Sequence, residues 1–324
     1  MTKVGIPRGL LFYRYFPLWE TFFESLGIQV IVSNPTTEAM IRQGSKLLPG
    51  DLCLPIKIYF GHVESLRKEV DFLFIPRYIS IELDAYMCPK FIGLPDMVLC
   101  AIDPLQPLID LPIHCKAQGT KAEENFYLKV GRIFSKNRKK VERAYAIAME
   151  RQSRFRLLLQ KGFPFEKALD SSRSSEIPEN PKEDGEGKLG MIGRPYYVHD
   201  PFLKKHVVEQ VEGRGYDLLT TEVLEDQAIE EGVEHLRKRI YWSFGKEMVG
   251  AAIRFSQNGS VKGMINLASF GCGQDSFNFE LIQHYIKDKL PMLSLVFDEH
   301  LSGAGFSTRI EAFLEMIARR KNRR

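Results

Sequence analysis

The chain has 324 residues, with 45 Lys and Arg against 41 Asp and Glu, a formal net charge of +4, and 44% hydrophobic and 27% charged residues. That balance is ordinary for a globular protein and excludes a disordered or low-complexity chain. The weak positive charge does not single out nucleic acid or an acidic membrane as a partner, and no run approaches the ~18 apolar residues of a membrane span.

Met1-Thr2-Lys3 leads directly into Val4-Gly5-Ile6-Pro7, which reads as a first strand with no apolar leader. A reducing, cytoplasmic setting is expected, in which Cys53, Cys88, Cys100, Cys115 and Cys272 do not form disulfides. After the strand come Phe12, Tyr13, Tyr15 and Phe16. A helical pattern then runs through Leu18, Phe22, Phe23 and Leu26, followed by Gly27 and the strand Ile28–Val32. A helix is expected through Ile58, Phe60 and Val63, and a buried strand over Val70–Pro76. Glu123–Gln160 reads as one helix, with Phe126, Val130, Ile133, Val141, Tyr145 and Ala148 near a 3.6-residue period. Its cations, Lys136, Arg138, Lys139, Lys140, Arg143, Arg151, Arg154 and Arg156, read as a solvated face rather than an anion site. Arg319–Arg324 reads likewise as the end of a helix.

Residues 170–187 are polar, with two prolines and two glycines, and read as a linker. The opening pattern then repeats. Lys188–Arg194 is followed by Tyr196 and Tyr197, a helix through Leu203, Val207, Val208 and Val211, then Gly215 and Tyr216–Leu219. Val261–Leu267 stands where Val70–Pro76 stood. Both halves carry the βαβ rhythm of a parallel sheet, so the expected class is α/β, with two parallel-sheet domains related by internal duplication. The expected organisation is a first domain over 1–120, a helical connector over 121–169, the linker over 170–187 and a second domain over 188–324. One large sheet broken by a loop is the alternative.

Cys53 precedes a helix. Cys88 and Cys272 follow strands, where loops of open α/β sheets gather ligands. Gly271 and Gly273 flank Cys272 and would let a large inorganic group approach. Pro89 after Cys88 is of a kind found beside cluster ligands, but the spacing lacks the close pairs of structural zinc sites. Spacing alone leaves buried packing of these cysteines as the stronger alternative. Cys100 lies among apolar residues and reads as core; a His114–Cys115 nucleophile is an alternative that adjacency in sequence supports poorly, so Cys115 reads as filler.

Four stretches together resemble the acyl-CoA dehydratase activase-related family: Lys3–Gly9, Gly50-Asp51-Leu52-Cys53-Leu54-Pro55-Ile56-Lys57, Tyr86-Met87-Cys88-Pro89-Lys90 with Gly93–Asp96, and Phe270-Gly271-Cys272-Gly273. Phe297–His300 and Arg309–Phe313 extend the resemblance. The family is related to 2-hydroxyacyl-CoA dehydratase and benzoyl-CoA reductase subunits and to double-cubane cluster proteins. The resemblance implies flavodoxin/Rossmann-like domains, a [4Fe-4S] cluster held by Cys53, Cys88 and Cys272, oxygen sensitivity, and electrons supplied by an ATP-dependent activator or reductase partner. It leaves open whether this chain is itself an enzyme, because the full dehydratases are longer two-subunit assemblies.

No GxxxxGK[ST] loop and no GxGxxG after a strand occurs, so an ATP-driven activator within this chain is not supported. The Ser302–Phe306 run reads as a loop; Asp298, Glu299 and Arg309 could position a ligand or pair internally. Arg8 and Arg194 stand at equivalent places and could bind an anion or form internal ion pairs. The expected function is iron–sulfur electron transfer or reductive chemistry, with a homodimer and a small-molecule ligand compatible with it. The alternative is a cluster-free, two-lobed binding module for a small anionic or CoA-like ligand.

Overall fold

The computed structural model describes residues 1–181, 185, 187–287, 289–299 and 303–321. The expected linker is therefore described only in part, and His300, Ser302 and the end of the basic tail lie outside the described residues. The chain divides into two compact units: Met1–Leu158 with Pro164–Pro178 and Ile240–Ser243, and Leu159–Phe163 with Glu179–Arg239 and Phe244–Arg324.

In chain order the first unit contains β1 (Lys3–Ile6), α1 (Phe12–Ser25), β2 (Gln29–Val32), α2 (Glu38–Lys46), α3 (Leu54–Leu66), β3 (Phe72–Phe74) and β4 (Arg77–Ser80). It continues with α4 (Pro89–Ile92), α5 (Leu94–Ala101), β5 (Leu108–Ile109), β6 (Pro112–His114), α6 (Cys115–Gln118), α7 (Ala122–Phe134), α8 (Arg138–Gln160) and α9 (Phe165–Ser171). The main sheet is parallel with strand order β2-β1-β3-β5. Its core is aromatic: Trp19 and Phe23 of α1 set their rings edge-on to Phe74 of β3, at 5.2 and 5.1 Å between centroids. Gly27 at φ 86° ends the α1 segment in the left-handed region that favours glycine.

Two features differ from the expected elements. The strand over Val70–Pro76 breaks at Ile75-Pro76 and resumes as β4, which pairs with β6 in a second, two-stranded parallel sheet. The expected single helix over Glu123–Gln160 is the pair α7 and α8. Between them Ser135 Oγ accepts from the Asn137 N–H, and Asn137 Oδ1 from the Lys140 N–H. These side-chain bonds stop one helix and start the next. Most of the expected connector lies inside the first unit. There Arg151 is buried and its guanidinium meets Glu20 of α1 at 2.7 Å. Arg154 donates to the backbone oxygens of Ser172 and Ser174, so these two cations brace the unit.

The second unit contains β7 (Gly187–Ile192), α10 (Pro195–Val198), α11 (Pro201–Glu212), β8 (Tyr216–Thr220), α12 (Asp226–Val233), α13 (Ser243–Gln257), β9 (Val261–Ser269), α14 (Gly273–Ile286), β10 (Met292–Phe297) and α15 (Gly303–Lys321). Its sheet is also parallel, in the order β10-β9-β7-β8. In each unit the first strand lies between the second and third, and a fourth lies beyond the third. This is the flavodoxin-like start of a doubly wound sheet, with the switch point beside the first strand, toward the third. Among the described residues, no helix is long and apolar enough to cross a membrane.

Candidate functional site

In the second unit, β7 ends into Gly193-Arg194 and β9 ends into Phe270-Gly271-Cys272, so both loops open at the point where strand order reverses. Gly271 adopts φ 72°, a left-handed turn that places Cys272 at the N-cap of α14. The Arg194 guanidinium is almost fully buried and meets the Asp275 carboxylate at 2.8 Å. Arg194 Nη2 also donates to Gln274 Oε1 at 3.0 Å and to Cys272 Sγ at 3.4 Å, while Nη1 donates to the Tyr196 hydroxyl at 2.9 Å. Asp275 Oδ2 accepts from the Tyr197 hydroxyl and from the Ser269 backbone N–H. Burial pushes the Tyr197 hydroxyl well above its ordinary range, with the negative charge of Asp275 adding to it, so it stays a donor. Arg194 is thus an internal ion pair that also touches the thiol. Nearby, burial would raise the Glu222 carboxyl, but His199 at 3.1 Å and local hydrogen bonds hold it down to about 2.

In the first unit, Cys53 is the N-cap of α3 and Cys88 the N-cap of α4. The loop entering Cys53 is held from within: Lys57, 1% exposed, donates Nζ to the Gly50 carbonyl at 2.9 Å. α3 packs so tightly on α2 that a Cβ at Gly44 would fall 1.8 Å from the Lys57 carbonyl oxygen. Farther down α3, His62 is fully buried, with Nδ1 3.0 Å from Ser33 Oγ and Nε2 3.0 Å from Thr36 Oγ1. Burial, then the charge of Arg8, lowers its imidazole to about 3, so it is a neutral strut. His62 lies nine residues after Cys53, so Cys53 stands roughly 13 Å farther along the helix, given 1.5 Å per residue.

The loop of Cys88 is pinned at several points. Met87 N–H donates to the Ile79 carbonyl, and Tyr86 pairs with a strap formed by Ile240–Ser243. Tyr86 N–H donates to the Tyr241 carbonyl at 2.7 Å, and Ser243 N–H to the Tyr86 carbonyl at 3.2 Å. No local signal marks this strap, since it lies far along the chain from Tyr86.

The remaining two cysteines part company with these. Cys100 is exposed, not core: α5 turns Leu94 and Val98 inward and Leu99 and Cys100 outward. Cys115 is half-buried at the first position of α6, and burial with the nearby Glu123 pushes its thiol up. A thiol so raised is a poor nucleophile at neutral pH, which argues against a His114–Cys115 pair. Arg8 donates Nε to the Ser33 carbonyl, and Arg309 donates to the Ser294 carbonyl.

The three cysteines marked in the sequence therefore share one local position, the residue that opens a helix, and at none of them is a side-chain cap hydrogen bond made. None of the five cysteines is in a disulfide. Among the described residues, no three His, Cys, Asp or Glu side chains form a group that could hold a metal ion.

Fold and site define an α/β protein of two parallel-sheet units with thiols at helix starts. Residues 3–224 match the family described as the CoA enzyme activase uncharacterised domain, more than half of the chain, and the chain belongs to that family. The matched span includes Cys53 and Cys88 and ends before Cys272. No curated protein matches the chain. Among solved structures, it is similar to the C-terminal domain of glucosamine-fructose-6-phosphate aminotransferase from Francisella tularensis. That match has 6% identity and a TM-score of 0.24, covers 98% of this chain and 83% of that one, and at this score carries no argument.

Proposed function

We propose that the chain is an iron–sulfur protein that holds a [4Fe-4S] cluster through Cys53, Cys88 and Cys272. In this reading it acts in low-potential electron transfer or in ATP-dependent reductive chemistry of the 2-hydroxyacyl-CoA dehydratase type. The observation that carries the reading is the common placement of these thiols. Each is a helix N-cap of intermediate exposure, a position where Ser, Thr, Asp or Asn would satisfy the helix better than Cys. Cysteine there forgoes cap energy, and a ligand role accounts for the choice.

The type of donor suits the group. Thiolates suit iron–sulfur clusters, and the positive ends of the longer helices α3 and α14 favour the ionised thiol. A Cβ at Gly273 would meet nothing within 4 Å, so bulk beside Cys272 is missing where a cluster needs room. When bound, such a cluster supplies one-electron chemistry at low potential. Membership of a CoA enzyme activase family supports a partner enzyme and a CoA-linked reaction. In this reading electrons come from a separate ATP-dependent activator or reductase. An oxygen-sensitive protein in a reducing cytoplasm, working as a homodimer or beside a larger enzyme, follows from the same reading.

The second reading is a cluster-free module for a small anionic or CoA-like ligand. In its favour, the family that the chain belongs to is described by a CoA enzyme activase domain. Protein purified without oxygen separates the two. The cluster reading predicts a brown protein absorbing near ~400 nm with about four iron and four sulfide per chain. Colourless protein without iron after anaerobic reconstitution, binding a CoA thioester, supports the module instead.

A further inference from the structure

Residues 129–143, at the corner where α7 ends and α8 begins, carry seven cations and a single carboxylate, that of Glu142, while the whole chain is only +4. More than the entire net charge stands at this corner, and the rest of the chain is net negative. Two of the seven cations are used internally: Arg138 pairs with Glu142 at 2.7 Å, and Lys140 donates Nζ to the Leu26 carbonyl at 2.9 Å. The other five, Lys129, Arg132, Lys136, Lys139 and Arg143, are exposed, and none makes an ion pair with a described residue. Local stability does not account for them. Lys139 and Arg143 are like charges one turn apart, and the first turn of α8 sets cations and no acid at its positive end. The corner is also held in shape, since a Cβ at Gly131 of α7 would collide with the Val141 side chain of α8. Ile133, 49% exposed, stands among the cations, while Phe134, the one aromatic of the stretch, sets its ring edge-on to Phe23 and Phe72.

We propose that this corner is a docking surface for a partner protein that presents an acidic face. Complementary charge steers and orients such an encounter, and an exposed aliphatic side chain inside a charged rim gives the contact an apolar centre. Without an exposed ring on which a base could stack, the corner is poorly made for single-stranded nucleic acid. The choice of a protein as occupant rests on the partner enzyme of the proposed function; the cationic surface itself does not, and it needs no cluster.

The test measures binding of the full-length, iron-free chain to three probes: a helical Glu-rich peptide, an RNA duplex and phosphatidylglycerol vesicles, at about 50 and about 150 mM salt. K136E/K139E/R143E reverses the corner, and K205E/R214E/K238E reverses three exposed cations elsewhere, so the two variants have the same net charge. K136Q/K139Q/R143Q is the milder form, and circular dichroism checks folding. The wild type is expected to bind the peptide more tightly than either other probe, with an affinity that falls as salt rises. The corner reversal should weaken peptide binding about tenfold or more, and the glutamine form by less. The charge-matched variant should stay within about twofold of the wild type. Equal losses in the two reversed variants mean that net charge alone attracts the peptide, and they overturn the assignment. Tighter binding of RNA or vesicles than of peptide also overturns it, making nucleic acid or an anionic membrane the occupant, and so does a lack of peptide binding at the lower salt. Peptide binding at the corner of a protein that never takes up iron upholds this surface and overturns the cluster reading alone.

Discussion

The two units build the same strand order and spend their first-loop arginine differently. In the second unit Arg194 turns toward the third strand, pairs with Asp275 and reaches a cysteine. In the first, Arg8 turns toward the second strand and donates to Ser33, which in turn lies against the neutral His62. One sequence signature thus gives a buried ion pair in one crest and a network of neutral hydrogen bonds beside a cation in the other. The cysteine positions differ accordingly: Cys272 sits at the switch point, whereas Cys53 stands out on α3 and Cys88 beyond the added β4–β6 sheet. A duplicated scaffold does not by itself duplicate a site; side chains at the strand ends decide it.

Substitutions in either unit should act at several strengths. Asp275→Leu leaves the Arg194 charge buried without its partner and is expected to cost about 3–5 kcal/mol, read by denaturant unfolding; a cost below 1 would mean the pair is solvated. Gly44→Val drives a side chain into the backbone of α3. That should cost about 3 kcal/mol and free the segment around Cys53, read as faster amide exchange in α2 and α3 and not in α14. The units should also differ in acid. His62 titrates at about 3 when folded against an ordinary 6.5, so its contribution is full above pH 6.5. It falls by about 1.4 kcal/mol per pH unit as pH drops toward 3. Glu222, held at about 2, contributes fully above its ordinary value of about 4.5 and loses that only between there and pH 2. Acid titration with residue-level exchange should therefore loosen β2 and α3 before β8, and His62→Gln should remove the earlier phase. Thr37→Ala, which deletes the side-chain cap of α2, is expected to cost about 1 kcal/mol. Cys100→Ala, on an exposed helix face, should stay within about 0.5.

Much of the architecture was legible because it is local. The aromatic helix, Gly27 and Gly215 as helix stops, and the strands over Val4–Ile6 and Val261–Leu267 all follow from short-range patterns. So does a cysteine immediately ahead of α3. What escaped was either phase or distance. The apolar neighbours of Cys100 do not say which face of α5 it occupies, and the helix period puts it opposite Val98. The break between α7 and α8 carries no Gly or Pro, only Ser135 and Asn137 bonding their own backbone. β4 and β6 are too short to show a pattern of alternation. The bond from Arg194 to Cys272 and the strap from Tyr241 to Ser243 over Tyr86 join residues distant in sequence, which only the folded chain brings together.

The division of the cysteines into three ligands and two bystanders is the claim most open to a direct test. Iron and sulfide are measured in anaerobically reconstituted protein for each Cys→Ala variant in turn, with folding checked by circular dichroism. The account predicts loss of the cluster in C53A, C88A and C272A, and full iron content in C100A and C115A. Full iron content in any of the first three, or loss of iron in C100A, would contradict it.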